Sequence, residues 1–189
     1  MNVTGPDQPA HLLLDIIDTF PELGVSYAVA GGFAVSYHGV PRATTDADAA
    51  IWLSDSGGSL QDVCDKLVAC GYRTKLSRGD LEDPIQTVIV VEDAHENKAD
   101  LLIGVRGMDP GAPRRSVSTK LLGSPVLILG AEDVVAMKVF AGGPQDLIDA
   151  RGILQVSGEK LNMDLLLKLA RRYGADAVRT LDQLLNETH

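Results

Sequence analysis

The spacing of apolar residues changes along the chain from a helical pattern to a strand-like one and back. Near the N-terminus, apolar residues recur every three or four positions, which predicts an amphipathic helix over residues 11–20. A short helix is predicted to end at Gly39, and another to run from the N-cap Ser59 to Gly71. From Ala131 onward, helical spacing continues in the segments AEDVVAMKVFA, QDLIDARGILQ, MDLLLKLARRYG and DAVRTLDQLLN.

Between these helical stretches lie short segments that alternate apolar and polar residues or become wholly apolar, as β-strands do. A polar turn at residues 92–98 suggests that the strands on either side of it form a hairpin. The stretch 106–123 contains glycine, proline and basic residues and is expected to be a surface loop. The predicted strands are residues 26–30, 46–53, 85–91, 99–103 and 126–129.

The order of these elements predicts an α/β (α+β) fold. We expect residues 1–130 to form a core in which a β-sheet of about four to five strands is flanked by helices. Residues 131–189 are expected to form a C-terminal helical region that packs on this core. Its helices could also form the seam of a homodimer or contact an acceptor molecule.

Composition restricts the classes of function. Hydrophobic residues make up 45% of the 189 positions, yet no apolar run approaches the roughly 20 residues of a membrane span. The N-terminus has no secretory signal pattern, so a cytoplasmic location is expected. The net charge of −9 argues against a tight non-specific grip on nucleic acid, although a local basic patch could still dock RNA.

The residues with the clearest chemical pattern lie between Tyr27 and Leu53. A strand leads into the pair Gly31-Gly32, where the backbone can approach a ligand closely and a helix N-terminus can face an anion. The next strand begins Asp46-Ala47-Asp48, and residues two apart on a strand project to the same face. Two carboxylates held that close repel each other unless a cation such as Mg²⁺ or Mn²⁺ neutralises them.

A third acid, Asp100, lies within the apolar strand segment NKADLLIG. A buried carboxylate costs free energy unless it is paired or binds a metal ion. Taken singly, a glycine pair is usually a turn, a D-x-D pattern is often an exposed strand end, and a lone acid can pair with a lysine. The three features together, in this order, favour a metal site built from three carboxylates.

The pattern of GG, then HGVPRATTDAD, then a later strand acid resembles the DNA polymerase β-like nucleotidyltransferase superfamily. Within that superfamily, the sequence is most similar to AbiEii-type toxins of abortive-infection and type IV toxin–antitoxin systems, over residues 27–154. The resemblance implies the nucleotidyltransferase-type mixed β-sheet, with Asp46, Asp48 and Asp100 as ligands of Mg²⁺ or Mn²⁺. It also implies that Asp100 serves as a general base.

The resemblance extends to the C-terminal region, where MKVFAGGPQDLIDARGIL supplies Lys138 and Asp146. Lys138 would reach the triphosphate, and Asp146 would orient either that lysine or the acceptor. The chain departs from the family pattern at Gly143 and Gln145, where basic residues are expected. From helix spacing alone, Asp146 and its neighbour Asp149 would belong to an ordinary polar face. The expected nucleotide contacts are Gly31, Gly32, Arg42, Thr45, Lys138 and Asp146.

These features support three hypotheses of different kinds. The first is an enzyme that transfers a nucleoside monophosphate from an NTP to a hydroxyl of a tRNA end, a protein or a small molecule, and that has an antitoxin partner if it is a toxin. Aminoglycoside and lincosamide nucleotidyltransferases share the same head motif. The second is a non-catalytic nucleotide- or partner-binding module that retains the fold. The third is a generic α/β binding protein in which the three acids are coincidental.

Overall fold

A mixed β-sheet forms the centre of the computed structural model, which describes residues 3–53, 58–80 and 83–188. The strands are β1 (Val25–Val29), β2 (Asp46–Leu53), β3 (Arg73–Arg78), β4 (Ile85–Glu92), β5 (Lys98–Val105), β6 (Val117–Leu121) and β7 (Ser124–Ile128). Over the described residues they form one seven-stranded sheet in the order β3-β4-β5-β2-β1-β7-β6. The β2–β5 and β1–β7 pairs are parallel, and the other pairs are antiparallel.

Helices lie against the sheet and form a separate layer at the C-terminal end of the chain. They are α1 (Pro9–Ile17), α2 (Phe20–Leu23), α3 (Gly31–Tyr37), α4 (Leu60–Ala69), α5 (Ala112–Arg115), α6 (Ala131–Ala141), α7 (Pro144–Ser157), α8 (Met163–Tyr173) and α9 (Ala175–Thr188), with a 3₁₀ turn at Gly158–Lys160. Ser59 caps α4 through a reciprocal capping box with Asp62, as its position before the helix predicted.

The two faces of β2 and β5 have different roles. Helix α1 packs against both strands. Ala47, Ala49 and Leu101 are fully buried on the side that α1 covers. Because side chains alternate across a strand, Asp46, Asp48 and Asp100 project from the other face. The same alternation that fills the core therefore directs three carboxylates away from it.

Helix α6 lies at the centre of the C-terminal layer and contacts α3, α7, α8 and α9. Its residues Val134, Val135 and Ala136 are completely buried. A helix that is apolar on nearly every side has no solvent face on which a charged side chain can extend. Lys138, which is also buried on α6, must therefore find its partners within the protein.

The fold class predicted from the sequence is confirmed, but the sheet is larger than the expected four to five strands. β3 was not predicted because it is an edge strand whose sequence RTKLSR is mostly exposed and shows no apolar alternation. The prediction of a surface loop over residues 106–123 was wrong in part, since this stretch contains α5 and the second edge strand, β6. Backbone pairing with β7 holds β6 in place without requiring a buried face.

Within the part of the chain that the structure describes, no helix combines the length and the apolar character needed to cross a membrane.

Candidate active site

Parallel pairing of β2 with β5 brings the three predicted carboxylates to one place. Asp48 lies directly opposite Asp100, and Asp46 lies opposite Lys98. Neighbouring strands are about 4.8 Å apart, so side chains at paired positions on one face lie next to each other. The acids therefore meet at the N-terminal ends of β2 and β5, on the face opposite α1.

Burial and repulsion between neighbouring charges raise the pKa values of Asp48 and Asp100. Burial, and then the charges of Asp46 and Asp100, raise the pKa of Asp48 to about 6, against the opposing charges of Lys138 and Arg42. Burial and the charge of Asp46 also raise the pKa of Asp100, while Lys98 acts in the opposite direction. The cluster thus carries more negative charge than its surroundings neutralise, which is the condition under which a cation binds well.

The turn at Gly31 brings the backbone against Asp48. Gly31 has a φ of +54°, and a Cβ atom at this position would lie 1.8 Å from Oδ2 of Asp48. Every other amino acid would therefore displace the carboxylate. Gly32 has a different neighbour, since a Cβ atom there would lie 2.9 Å from Cβ of Thr44 and 3.0 Å from Nη2 of Arg42. The glycine pair thus brings α3 close to both the acids and the loop before β2.

Thr44 fixes the start of β2. Its hydroxyl donates to the backbone oxygen of Asp46 at 2.9 Å and lies 3.1 Å from Oδ1 of the same residue. Thr45 was predicted from the sequence to belong to the nucleotide site, and Thr44 was not. Thr45 is exposed, and its predicted role stays a prediction. The alternation of side chains could have identified Thr44. In an extended chain, residues two apart project to the same face, so Thr44 would lie on the same face as Asp46.

A second charged cluster joins the C-terminal helices to this site. Nζ of Lys138 lies 2.7 Å from Oδ1 of Asp146 and 3.1 Å from Oδ2 of Asp149. Nε of Arg42 lies 3.7 Å from the same Asp149 oxygen. Gln145 completes the cluster by donating from Nε2 to Oδ1 of Asp149 at 2.8 Å. Lys138 and Arg42 are thus held by the same carboxylate, and the charges of both act on Asp48.

The burial of Asp149 was not predicted from the sequence. Helix spacing placed it on an ordinary polar face, but its side chain is 0% exposed. Nε of Arg42 and Oδ2 of Asp149 are both buried without a hydrogen bond, although they form an ion pair. Burying a carboxylate whose hydrogen bonds are incomplete costs folding free energy. We infer that Asp149 is there to position Lys138 and Arg42.

The departures at Gly143 and Gln145 also have a structural explanation. A Cβ atom at Gly143 would lie 2.8 Å from Oδ2 of Asp146. A basic residue at this position would therefore push Asp146 away from Lys138. Gln145 provides Asp149 with a neutral amide in place of a further positive charge. The cluster is thus built around Lys138 and Arg42 as its cations.

We expect Asp149→Asn to lower the free energy of unfolding by about 3 kcal/mol, because breaking a buried ion pair leaves its partner charge uncompensated. The loss would be measured by urea titration at pH 7. Asp146→Asn serves as the matched control, since Asp146 is 27% exposed and water can replace part of its interaction with Lys138. Equal losses of unfolding free energy in the two variants would show that the burial of Asp149 does not strengthen its contribution to stability.

The donor set suits a hard divalent cation, since all three acids offer carboxylate oxygens. Across the described ranges, however, no group of three or more His, Cys, Asp or Glu side chains is arranged to hold a metal ion. The carboxylates are neighbours by strand register and by their mutual effect on pKa. A cation bound at this place would have to draw them closer together.

Solved structures of other proteins share the fold of this chain. The chain matches no protein-family model and no curated protein. It is similar to ANT(2″)-Ia in complex with adenylyl-2″-tobramycin, with a TM-score of 0.61 and 14% identity over 87% of this chain and 98% of that chain. A solution structure of the same antibiotic-resistance factor gives a TM-score of 0.60 and 14% identity, over 95% of this chain and 96% of that one.

A third similar structure is an antigenic nucleotidyltransferase-like protein from Paracoccidioides brasiliensis, with a TM-score of 0.57 and 13% identity over 97% of this chain and 89% of that chain. At this identity the similarity concerns the fold. The protein has a nucleotidyltransferase-type fold, with a mixed sheet, flanking helices and a C-terminal helical layer. The closer resemblance to AbiEii-type toxins stays a prediction.

Proposed function

We propose that this protein is a metal-dependent nucleotidyltransferase, which transfers a nucleoside monophosphate from an NTP to an acceptor hydroxyl. The observation that carries the proposal is the convergence of Asp46, Asp48 and Asp100 through the β2–β5 register, beside a glycine turn that leaves no space for a side chain. The fold similarity to ANT(2″)-Ia supports the same class of reaction.

Each residue of the site has a separate proposed role in the reaction. Asp46, Asp48 and Asp100 would hold Mg²⁺ or Mn²⁺, which when bound neutralises the negative charge that develops on the phosphates. Lys138 and Arg42 would bind the β- and γ-phosphates, because both are cations whose charges act on Asp48 and Arg42 lies beside Gly32. Gly31 and Gly32 are proposed to contact the same phosphates through their backbone, since the chain at both positions lies close to the site residues Asp48 and Arg42. Asp146 holds Lys138 in position, and Thr45 is proposed as a contact at the loop before β2.

Proton transfer completes the mechanism. The acceptor oxygen forms a bond with the α-phosphorus while the bond from that phosphorus to the pyrophosphate oxygen breaks. Asp100 is the group proposed to take the proton of the acceptor hydroxyl, because the strand register sets it beside Asp48 on the β5 side of the acids. Pyrophosphate then leaves towards Lys138 and Arg42.

The acceptor we favour is a small molecule, because the complex of ANT(2″)-Ia contains adenylyl-2″-tobramycin. A tRNA end or a protein side chain would be the acceptor if the predicted toxin resemblance holds, and an antitoxin would then be a partner. The alternative function is a module that binds nucleotide without transferring it.

The test is a transfer assay with Mg²⁺ and each α-³²P-labelled NTP, offering total tRNA, whole-cell protein and an aminoglycoside mixture as separate acceptors. We expect label in one acceptor pool, and none when Asp46→Ala and Asp48→Ala are combined. Asp164→Asn is the matched control, since Asp164 is an exposed acid on α8. Mg²⁺-dependent NTP binding without transfer would identify the binding module, and neither binding nor transfer would refute the proposal.

A further inference from the structure

A small apolar cavity of about 240 Å³ lies on the carboxylate face of the sheet. Ala50 and Trp52 line it from β2, and Leu102 and Gly104 line it from β5. Met108, from the segment after β5, contributes another apolar side chain. Among the residues that the structure describes, those that line this cavity carry no charged side chain. It therefore suits a flat, uncharged group more than a phosphate or an ammonium ion.

The strand register connects this cavity to the three acids. Ala50 pairs with Leu102 two positions after the pair Asp48–Asp100, on the same face of the same two strands. A strand rises about 3.3 Å per residue, so the cavity begins about 7 Å from the acids and Trp52 lies about 13 Å along the sheet. One ligand of moderate length can occupy both places at once.

We propose that this cavity binds the nucleobase of the NTP, which stacks on Trp52; the inference rests on the proposed function. In the proposed function the β- and γ-phosphates bind Arg42 and Lys138. Arg42 lies beside Gly32 of α3, and Lys138 belongs to α6, which contacts α3. The α-phosphate must then lie at the carboxylates, and the nucleoside must extend away from the pyrophosphate. The apolar cavity on the same two strands provides the place for the base.

The size of the cavity favours a base over a whole acceptor molecule. Pockets for drug-sized ligands have volumes of about 300–1,000 Å³. A cavity of about 240 Å³ is smaller and fits a single ring system. Stacking on an aromatic side chain tolerates every base, because each base has a π-face. The site would therefore fix the position of the nucleoside while selecting weakly among the four NTPs.

Space for the acceptor remains on the other side of Asp100. In-line displacement places the incoming hydroxyl opposite the leaving pyrophosphate. With the pyrophosphate at Arg42 and Lys138, the hydroxyl must arrive from the side of β5 and β4. Val90 of β4 pairs with Asp100, and Lys75 of the edge strand β3 pairs with Val90. This part of the sheet face continues from the acids and is separate from the Trp52 cavity.

Trp52 itself can report the occupancy of the cavity, because it is the only tryptophan in the chain. Its fluorescence would be measured during titration with α,β-methylene NTP analogues, which cannot transfer their nucleotide, and separately with inorganic tripolyphosphate, both in Mg²⁺. Equilibrium dialysis with labelled ligands would measure binding independently. We expect the nucleotide analogue to quench Trp52, and tripolyphosphate to bind without doing so.

Two variants test the contact by affinity. Trp52→Ala is expected to raise the Kd of the nucleotide analogue about tenfold, while leaving the Kd of tripolyphosphate unchanged. Met108→Glu is expected to do the same by placing a charge in the cavity, and it alters a loop position without removing the packed indole ring. Val68→Glu, at an apolar residue 55% exposed on α4, is the control for adding an acid elsewhere.

The outcomes separate this inference from the proposed function. If dialysis shows that the nucleotide binds but Trp52 is not quenched, or if both variants weaken tripolyphosphate as much as nucleotide, the base lies elsewhere and the transferase proposal stands. If neither ligand binds, the proposed function and this inference fail together. Quenching by nucleotide alone, with a selective loss of nucleotide affinity in both variants, supports the cavity as the base site.

Discussion

Replacing Asp48 by asparagine is expected to lower nucleotidyl transfer by about 10³-fold and, at the same time, to stabilise the metal-free protein at pH 8. The loss of rate follows because metal ligation in such sites is worth several kcal/mol in the transition state, and each 1.4 kcal/mol is tenfold in rate. The gain in stability follows because the cost of burying a charge, and the repulsion by Asp46 and Asp100, which together raise the pKa of Asp48 to about 6, would disappear.

The sign of the pH effect follows from the direction of that shift. Asp48 has a pKa of about 6 in the folded protein, against 3.8 as its ordinary value. The folded state therefore holds the proton more tightly, and the stability of the metal-free protein should fall as pH rises from about 4 to about 6. A difference of two pKa units sets an upper bound of about 3 kcal/mol on the loss.

The measurement is thermal unfolding in EDTA at pH 5 and pH 8, for the wild type, Asp48→Asn and the control Asp164→Asn. We expect Asp48→Asn to unfold at a higher temperature than the wild type at pH 8, with a smaller difference at pH 5. Mg²⁺ should raise the melting temperature of the wild type more than that of the variant. A variant that is less stable than the wild type at pH 8 would contradict this account.

Gly31→Ala should have the next largest effect. The new Cβ atom would lie 1.8 Å from Oδ2 of Asp48, so the carboxylate would have to move by more than 1 Å. A displacement of that size in a reacting group can cost about 100-fold in rate. Alanine at a φ of +54° also adds about 1–2 kcal/mol of backbone strain. Transfer rate and urea unfolding would be measured on the same preparation.

Gly71→Ala is the matched control for this variant. Gly71 has a φ of +92°, and a Cβ atom there would meet no other atom within 4 Å. The Gly71→Ala variant should therefore lose stability through backbone strain but keep full transfer activity. In an Asp48→Ala background, Gly31→Ala should lose less stability than it does in the wild type, because the clashing carboxylate is absent. Equal losses in both backgrounds would show that the contact with Asp48 does not matter.

The sequence predicted best those parts of the site that depend on local geometry. Asp46 and Asp48 could be placed on one face because alternation in a strand needs no tertiary information. The pairing of Asp48 with Asp100 could not be deduced in that way, since it depends on β5 lying beside β2 rather than beside β1. The sequence offered Asp100 as the third acid on the condition that its strand lies beside β2, and the resemblance to a family implied the same. The observed register meets that condition.

Asp149 shows why other parts of the site escaped prediction. From sequence alone, a polar residue on a helix is predicted to be exposed, because the tertiary neighbours of that helix are not known. Here α7 lies against the segment that precedes β2, since a Cβ atom at Gly152 would lie 2.8 Å from Cγ2 of Val40. That packing buries Asp149 beside Arg42. The edge strands β3 and β6 escaped for a related reason, because backbone pairing and not an apolar face holds them in the sheet.

The cluster formed by Lys138, Asp149 and Arg42 has a consequence for the order in which the protein is made. The three acids are complete once residue 100 has been synthesised, but Lys138 and Asp149 follow later. A chain emerging from the ribosome therefore has its repelling carboxylates before it has the lysine that opposes them. Lys138 can act on Asp48 only when α6 has docked, and α7 supplies the carboxylates that hold it. Nucleotide binding should therefore be among the last properties that a growing chain gains.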